Sequence, residues 1–202
     1  HLGRAMIFFN NDDAQKAIAE YKLIIEKFQG GSYFKEALLG LKSIYVGIAK
    51  VDEYISFINT IPQYRISQSE QDSLSYSAAF IKFSEQDFIT ARDAFKKYIE
   101  EFDNGIFIND AYYYLAYSHL DLGDSIGANF CFSYLAENKV AMYLENALIY
   151  LARDCFVKND FTNSNMFYVD LEKIASNNSI KREVVIRLMY GFELIDNKKA
   201  MQ

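Results

Sequence analysis

The chain repeats itself, and the length of the repeat limits what it can fold into. Six positions, Ala17, Tyr54, Ala91, Ala128, Ser164 and Ala200, follow one another at spacings of 37, 37, 37, 36 and 36 residues. Other columns fall into line when read from these anchors. Four residues before them stand Asp13, Lys50, Asp87, Asp124, Asp160 and Asp196, and eight before stand Phe9, Val46, Phe83, Leu120, Phe156 and Phe192. With 14 Asp among 202 residues, five in a column of six has a chance probability on the order of one in a hundred thousand. A unit of this size is one supersecondary element that buries its apolar face only against its neighbours, so the architecture is a stack.

The stretch from Ala111 to Leu135 shows what the unit is. Tyr112, Leu115, Ala116 and His119 form one helical stripe, and Ala128, Phe132 and Leu135 form a second after Leu122-Gly123-Asp124. Two amphipathic helices joined by so short a segment make an antiparallel hairpin. The Asp column falls just before each second helix, where a carboxylate accepts backbone N–H groups and meets the positive end of the helix dipole. Twelve residues before the anchors come Ala5, Lys42, Ala79, Ala116, Ala152 and Leu188. Small residues here, facing small anchors, let two helix axes approach closely. Four and seven residues after the anchors come Tyr21/Ile24, Ile58/Ile61, Phe95/Tyr98, Phe132/Leu135 and Tyr168/Leu171, the stripe that packs on the next hairpin.

Helix stops separate the units at Gln29-Gly30-Gly31-Ser32, Asp103-Asn104-Gly105, Glu137-Asn138-Lys139 and Ser176-Asn177-Asn178-Ser179. One proline, Pro62, and nine glycines in a chain that is 51% hydrophobic favour long helices over a turn-rich sheet. The expectation is an all-α chain of eleven or so helices without a β-sheet. The second unit departs most, with Lys42 at a small site, Tyr54 as its anchor and Pro62 cutting its second helix short before the polar stretch Ser67 to Ser73. At the C-terminal end, Asp196 and Ala200 predict a last turn and the start of a sixth second helix after a helix spanning Ile180 to Ile195. That helix carries too many apolar residues for one buried stripe. The reading is a fragment of a longer protein, residues 1–202 forming a single domain whose open ends self-associate.

Several function classes are excluded by composition and spacing. A net charge of −6 and a pI near 5.0, with no Lys/Arg cluster, argue against a nucleic-acid partner. No apolar run reaches the roughly 18 residues of a membrane span. Cys131 and Cys155 lie in helical patterns with no Cys or His at metal-ligand spacing, and read as small buried hydrophobes; a disulfide between them stays open. His119 falls on a core stripe, and His1 has no catalytic companion. Acidic pairs such as Asp12-Asp13 and Glu100-Glu101 fall at turns or on exposed helix faces. No phosphate loop, nucleophile elbow or HExxH is present. The chain reads as a non-enzyme with no cofactor and no metal.

The hairpin period, with Leu115-Ala116, Gly123-Asp124, Ala128, Phe132 and Leu135 in its best unit, resembles the tetratricopeptide repeat (TPR) family over essentially the whole chain. The period is longer than the family's 34 residues, and the family's inter-repeat proline is absent near Gln29, Asp103, Val140 and Ser176. Long, proline-poor, aromatic-rich units resemble those of bacterial cell-envelope TPR proteins, which implies a periplasmic or cell-envelope setting. The resemblance implies a right-handed α-solenoid of five repeats and part of a sixth, whose first helices line a concave groove for a peptide or helix of a partner protein.

Carried onto this chain, groove-facing sites lie fifteen and eleven residues before each anchor: Leu39/Ser43, Tyr76/Phe80, Tyr113/Tyr117 and Ile149/Arg153, with Tyr114 and Tyr150 beside them. Tyr76, Phe80, Tyr113 and Tyr117 add a second apolar face opposite a complete core stripe. Rings at helical spacing also simply fill gaps between helices. Arg153 is placed to hold a carboxylate or to stand as a surface charge. TPR domains that grip a chain-terminal carboxylate use paired Lys/Arg and Asn, which are missing from these sites. The expectation is an interaction scaffold with an aromatic groove; the alternative is a structural spacer that positions other domains of a longer protein.

Overall fold

The computed structural model describes residues 1–11, 13–28, 30–62 and 64–200, without the side chains of 197–200. Among them are eleven helices and no strand: α1 (Leu2–Asn10), α2 (Ala14–Lys27), α3 (Ser32–Gly47), α4 (Val51–Ile58), α5 (Gln68–Ser84), α6 (Phe88–Glu101), α7 (Ile108–Asp121), α8 (Ser125–Glu137), α9 (Leu144–Val157), α10 (Phe161–Ile174) and α11 (Asn178–Ala200). They form two compact units, His1–Ile108 and Asn109–Gln202. None of the described helices is long and apolar enough to cross a membrane.

The repeat columns are the packing columns. Ala17, Tyr54, Ala91, Ala128 and Ser164 are all buried, as are Ala5, Ala79, Ala116 and Ala152 twelve residues before their anchors. Direct contact between the two columns is visible at the fifth hairpin, where the buried Ser164 hydroxyl donates to the Ala152 carbonyl at 2.8 Å. Both members of every stripe pair after the anchors, from Tyr21/Ile24 to Tyr168/Leu171, are buried too. In the fourth hairpin Tyr112 stacks on Tyr134 at 3.6 Å while His119 Nδ1 lies 2.8 Å from Asp124 Oδ2. The start of α7 therefore meets the end of α8, and the pair is antiparallel. The His119 ring is buried against Gly127, where any Cβ would fall within 2.3 Å of it.

The turns combine a side-chain cap with a backbone lock. Asp13, Asp87, Asp124 and Asp160 accept the N–H groups of Lys16, Thr90, Gly127 and Asn163. Hydrogen bonds from Lys16 and Thr90 hold the Asp13 and Asp87 carboxyls below the usual carboxylate range. Each cap's own N–H donates five residues back, Asp13 to Phe8, Asp87 to Lys82, Asp124 to His119 and Asp160 to Cys155, at 2.8–2.9 Å. This is the bond that closes a helix through one left-handed residue. That residue stands five before the anchor: Ala49 (φ 56°), Gln86 (φ 62°), Gly123 (φ 73°) and Asn159 (φ 60°). The equivalent Asp12 lies outside the described residues, as does Gln29 of the first helix stop.

The turn expected at Asp196 is not formed. The helix α11 runs unbroken from Asn178 to Ala200, and Asp196 lies inside it. Its left-handed position would fall on Ile195, and a β-branched side chain at positive φ is a steric outlier, so the helix continues. The expected anchor contact of Ala200 concerns a side chain outside the described residues. The exposed apolar surface expected of this helix is present, with Val185, Ile186, Met189, Tyr190 and Phe192 each more than half exposed.

The second hairpin is irregular where Pro62 predicts it. The helix α4 has 8 residues, and Lys50 supplies no side-chain cap. With α4 short, α3 packs directly on α5, and Lys42 reaches Glu70 in the first turn of α5 at 2.9 Å. Ser67 caps α5 through the Glu70 N–H, so most of the polar stretch is helical. Both cysteines are free thiols, Cys131 buried and Cys155 half-buried, with the Cys155 thiol pushed up by burial and the nearby Asp160 and Asp154.

Candidate functional site

Tyr76 and Tyr113 are not free rings on a helix face, because each stacks on a ring of the following repeat. In the first unit, Tyr76 on α5 stacks on Phe107 at 4.4 Å with an interplanar angle of 9°. The segment bearing Phe107 is held by a buried carboxylate. Asp72 accepts the Tyr98 hydroxyl at 2.5 Å and the Ile106 N–H at 2.9 Å, and the Tyr98 oxygen in turn accepts the Phe107 N–H at 3.1 Å. Burial, then the hydrogen bond to Asp72, pushes the Tyr98 phenol well up, so it stays a donor at neutral pH. Gly105 admits this arrangement, since a Cβ there would lie 2.4 Å from the Tyr98 oxygen. Phe80 lies one turn on, stacked at 6.1 Å from Tyr76 and 36% exposed.

The second unit repeats the device. Tyr113 on α7 stacks on Tyr143 at 4.1 Å and 18°, and the Tyr143 hydroxyl is anchored on the Asp110 carboxylate. From there the rings run on in sequence. Tyr117 lies 4.9 Å from Tyr113 and meets the buried Phe132 edge-on at 5.7 Å, and Tyr150 on α9 lies 4.5 Å from the same Phe132 ring. Tyr114 stands edge-on to Tyr113 at 5.3 Å. All five tyrosines of α7 and α9 are half-buried. Burial and a hydrogen bond to Tyr117 push the Tyr113 phenol up; burial, then the nearby Asp154, does the same to Tyr150. The face therefore offers apolar ring edges and phenol hydroxyls, groups suited to contact and hydrogen bonding.

Arg153, the polar candidate at the end of this row, is already engaged. Its Nε and Nη2 donate to the two carboxylate oxygens of Glu183 on α11 at 2.7 and 2.5 Å, and the Tyr168 hydroxyl donates to the same carboxylate at 3.2 Å. The bond to Arg153 holds the Glu183 carboxyl below its usual range. Leu39 and Ser43, the corresponding pair on α3, are exposed.

Three partners of the candidate residues are not marked in the sequence pattern: Phe107 and Tyr143 for the rings, and Glu183 for Arg153. The first two share a column, 21 residues before Ala128 and Ser164, so each caps the tyrosine fifteen before the preceding anchor. Among the described residues, no group of three or more His, Cys, Asp or Glu side chains is placed to hold a metal ion. No protein-family model matches the chain, and no curated protein matches its sequence.

Proposed function

We propose that the chain is a protein-interaction scaffold: a right-handed TPR-like solenoid over residues 1–202, five hairpins and the first helix of a sixth, that holds a peptide or helix of a partner protein. One observation carries the reading. Tyr143, Tyr113, Tyr117, Phe132 and Tyr150 form a continuous row of rings across α7, α8 and α9, and its tyrosines keep part of their surface in water. Rigid rings with few rotatable bonds present contact area at low entropic cost, and such residues dominate binding energy at protein interfaces. Phenols held protonated add hydrogen-bond donors for a partner's backbone.

The spacer reading draws on the same rings. Tyr113 and Tyr76 each spend one face on the next repeat's aromatic, which stiffens a stack whether or not anything binds. The two readings separate in a peptide-display selection against the intact chain, followed by binding of the enriched peptides to a Tyr113→Ala, Tyr117→Ala variant. A scaffold loses roughly tenfold to thirtyfold in affinity for each ring truncated. Peptides that bind the variant as tightly as the parent chain leave the spacer reading in place.

A further inference from the structure

A concavity of about 520 Å³ lies between α9 and α11, lined by Arg153, Ser179, Arg182, Glu183, Ile186 and Arg187. Residues 109–202 contain three arginines, and all three are in that lining although Arg153 and Arg182 are far apart in sequence. No described lysine lines it. The choice of guanidinium matters, because its planar fork of five donors matches a carboxylate in two points where an ammonium meets it in one.

Two of the three are held in place from behind. The Arg153 guanidinium is fixed by Glu183 through two of its donors, which leaves the rest available. Arg187 lies over the Phe156 ring at 4.3 Å. Arg182 is exposed on the same side of α11. One carboxylate thus faces three guanidinium groups, and the remaining positive charge is concentrated in a chain whose net charge is −6. From the rim of the concavity an apolar strip continues along α11 at helical spacing, through Ile186, Met189 and Tyr190, all exposed.

We propose that this concavity binds an acidic segment of a partner protein, its carboxylates taken by Arg153, Arg182 and Arg187 and its apolar side chains laid on Ile186, Met189 and Tyr190. A free phosphate or a nucleic-acid backbone would satisfy the arginines but leave the strip in water. The proposal rests on the scaffold reading only in taking the partner to be a protein; the site is separate from the Tyr113–Tyr117 rings.

The test uses the 202-residue chain and fluorescence anisotropy with a labelled synthetic helical peptide that carries leucines at i, i+3, i+4 and i+7 spacing flanked by glutamates, beside the same peptide with glutamines in place of the glutamates. The glutamate peptide is expected to bind roughly tenfold tighter, with affinity falling as salt rises. Arg182→Gln and Met189→Ser each weaken it by roughly fivefold or more with unchanged melting, while Lys181→Gln, beside the concavity but outside its lining, stays within about twofold. Equal affinity for the two peptides overturns the proposal. So does an equal loss from Lys181→Gln and Arg182→Gln, which marks general attraction, or a DNA oligonucleotide that outcompetes the peptide and ignores Met189→Ser. The Tyr113→Ala, Tyr117→Ala variant keeps the glutamate peptide, so failure of the aromatic face and failure of this site read out separately.

Discussion

The fourth hairpin places two fully buried alanines, Ala116 and Ala128, at the paired positions twelve residues apart, whereas the second hairpin puts Lys42 and Tyr54 in the same two places. Tyr54 is buried, its phenol pushed up to about 12 by that burial, and Lys42 is directed outward to Glu70. Asp124 caps α8, while Lys50 gives α4 no cap; Gly123 takes the left-handed turn residue in one, Ala49 in the other. Yet the lock across the turn is the same, Asp124 N–H to His119 at 2.8 Å and Lys50 N–H to Tyr45 at 2.8 Å. The backbone turn therefore survives the loss of every side-chain signal that marks it elsewhere. The buried interhelix positions, in contrast, are filled in two ways, by a pair of alanines or by one ring with the lysine turned out to Glu70.

That contrast breaks most sharply at the anchors. Tyr54→Ala is expected to cost about 3–5 kcal/mol, since truncating a buried ring leaves a cavity that the short α4 has little means to fill. Denaturant unfolding measures it, and a loss below about 1 kcal/mol would show that the Tyr54 ring is not a packed part of the core. Ala128→Leu runs the other way, costing about 1–3 kcal/mol by forcing apart helices that meet through alanines. Unchanged melting would mean α7 and α8 do not depend on a small residue there.

The caps give a smaller difference. Asp124→Ala is expected to cost about 1 kcal/mol, because the Gly127 N–H loses its acceptor, while Lys50→Asp gains up to a similar amount by supplying the missing cap. A neutral Lys50→Asp would show that α4 starts in a geometry a carboxylate does not reach.

Smallest is the turn residue. Ala49→Gly is expected to raise stability by about 0.5 kcal/mol and Gly123→Ala to lower it by about 1 kcal/mol, since only glycine adopts positive φ without steric cost. Two changes of the same sign would refute that account.

How much of this was legible follows from what each feature asks of a side chain. The caps ask for a carboxylate, so the Asp column announced four turns correctly. The left-handed position asks only for tolerance of positive φ, and Ala49, Gln86, Gly123 and Asn159 share no chemistry that would make a column visible. The same position explains the one turn that the Asp column announced wrongly: Asp196 is a proper cap residue, but Ile195 before it forbids the turn. Phe107 and Tyr143 occupy one column that Glu70 and Ser179 interrupt, so two stacking partners of the candidate face did not stand out.

Periodicity, the small anchors and the capping residues are local demands, written within one hairpin, and the sequence alone determined from them that the chain is helical, where most of its hairpins turn and which stripes are buried. What the rings and charges face depends on residues far away in the chain. Tertiary structure alone decided that Phe107 closes on Tyr76, that Glu183 claims Arg153, and that the three arginines of residues 109–202 converge on one concavity. The reason is physical: a helix period states which side of a helix is apolar, but a long side chain's partner is set by how one hairpin lies on the next, and no spacing within a repeat records that.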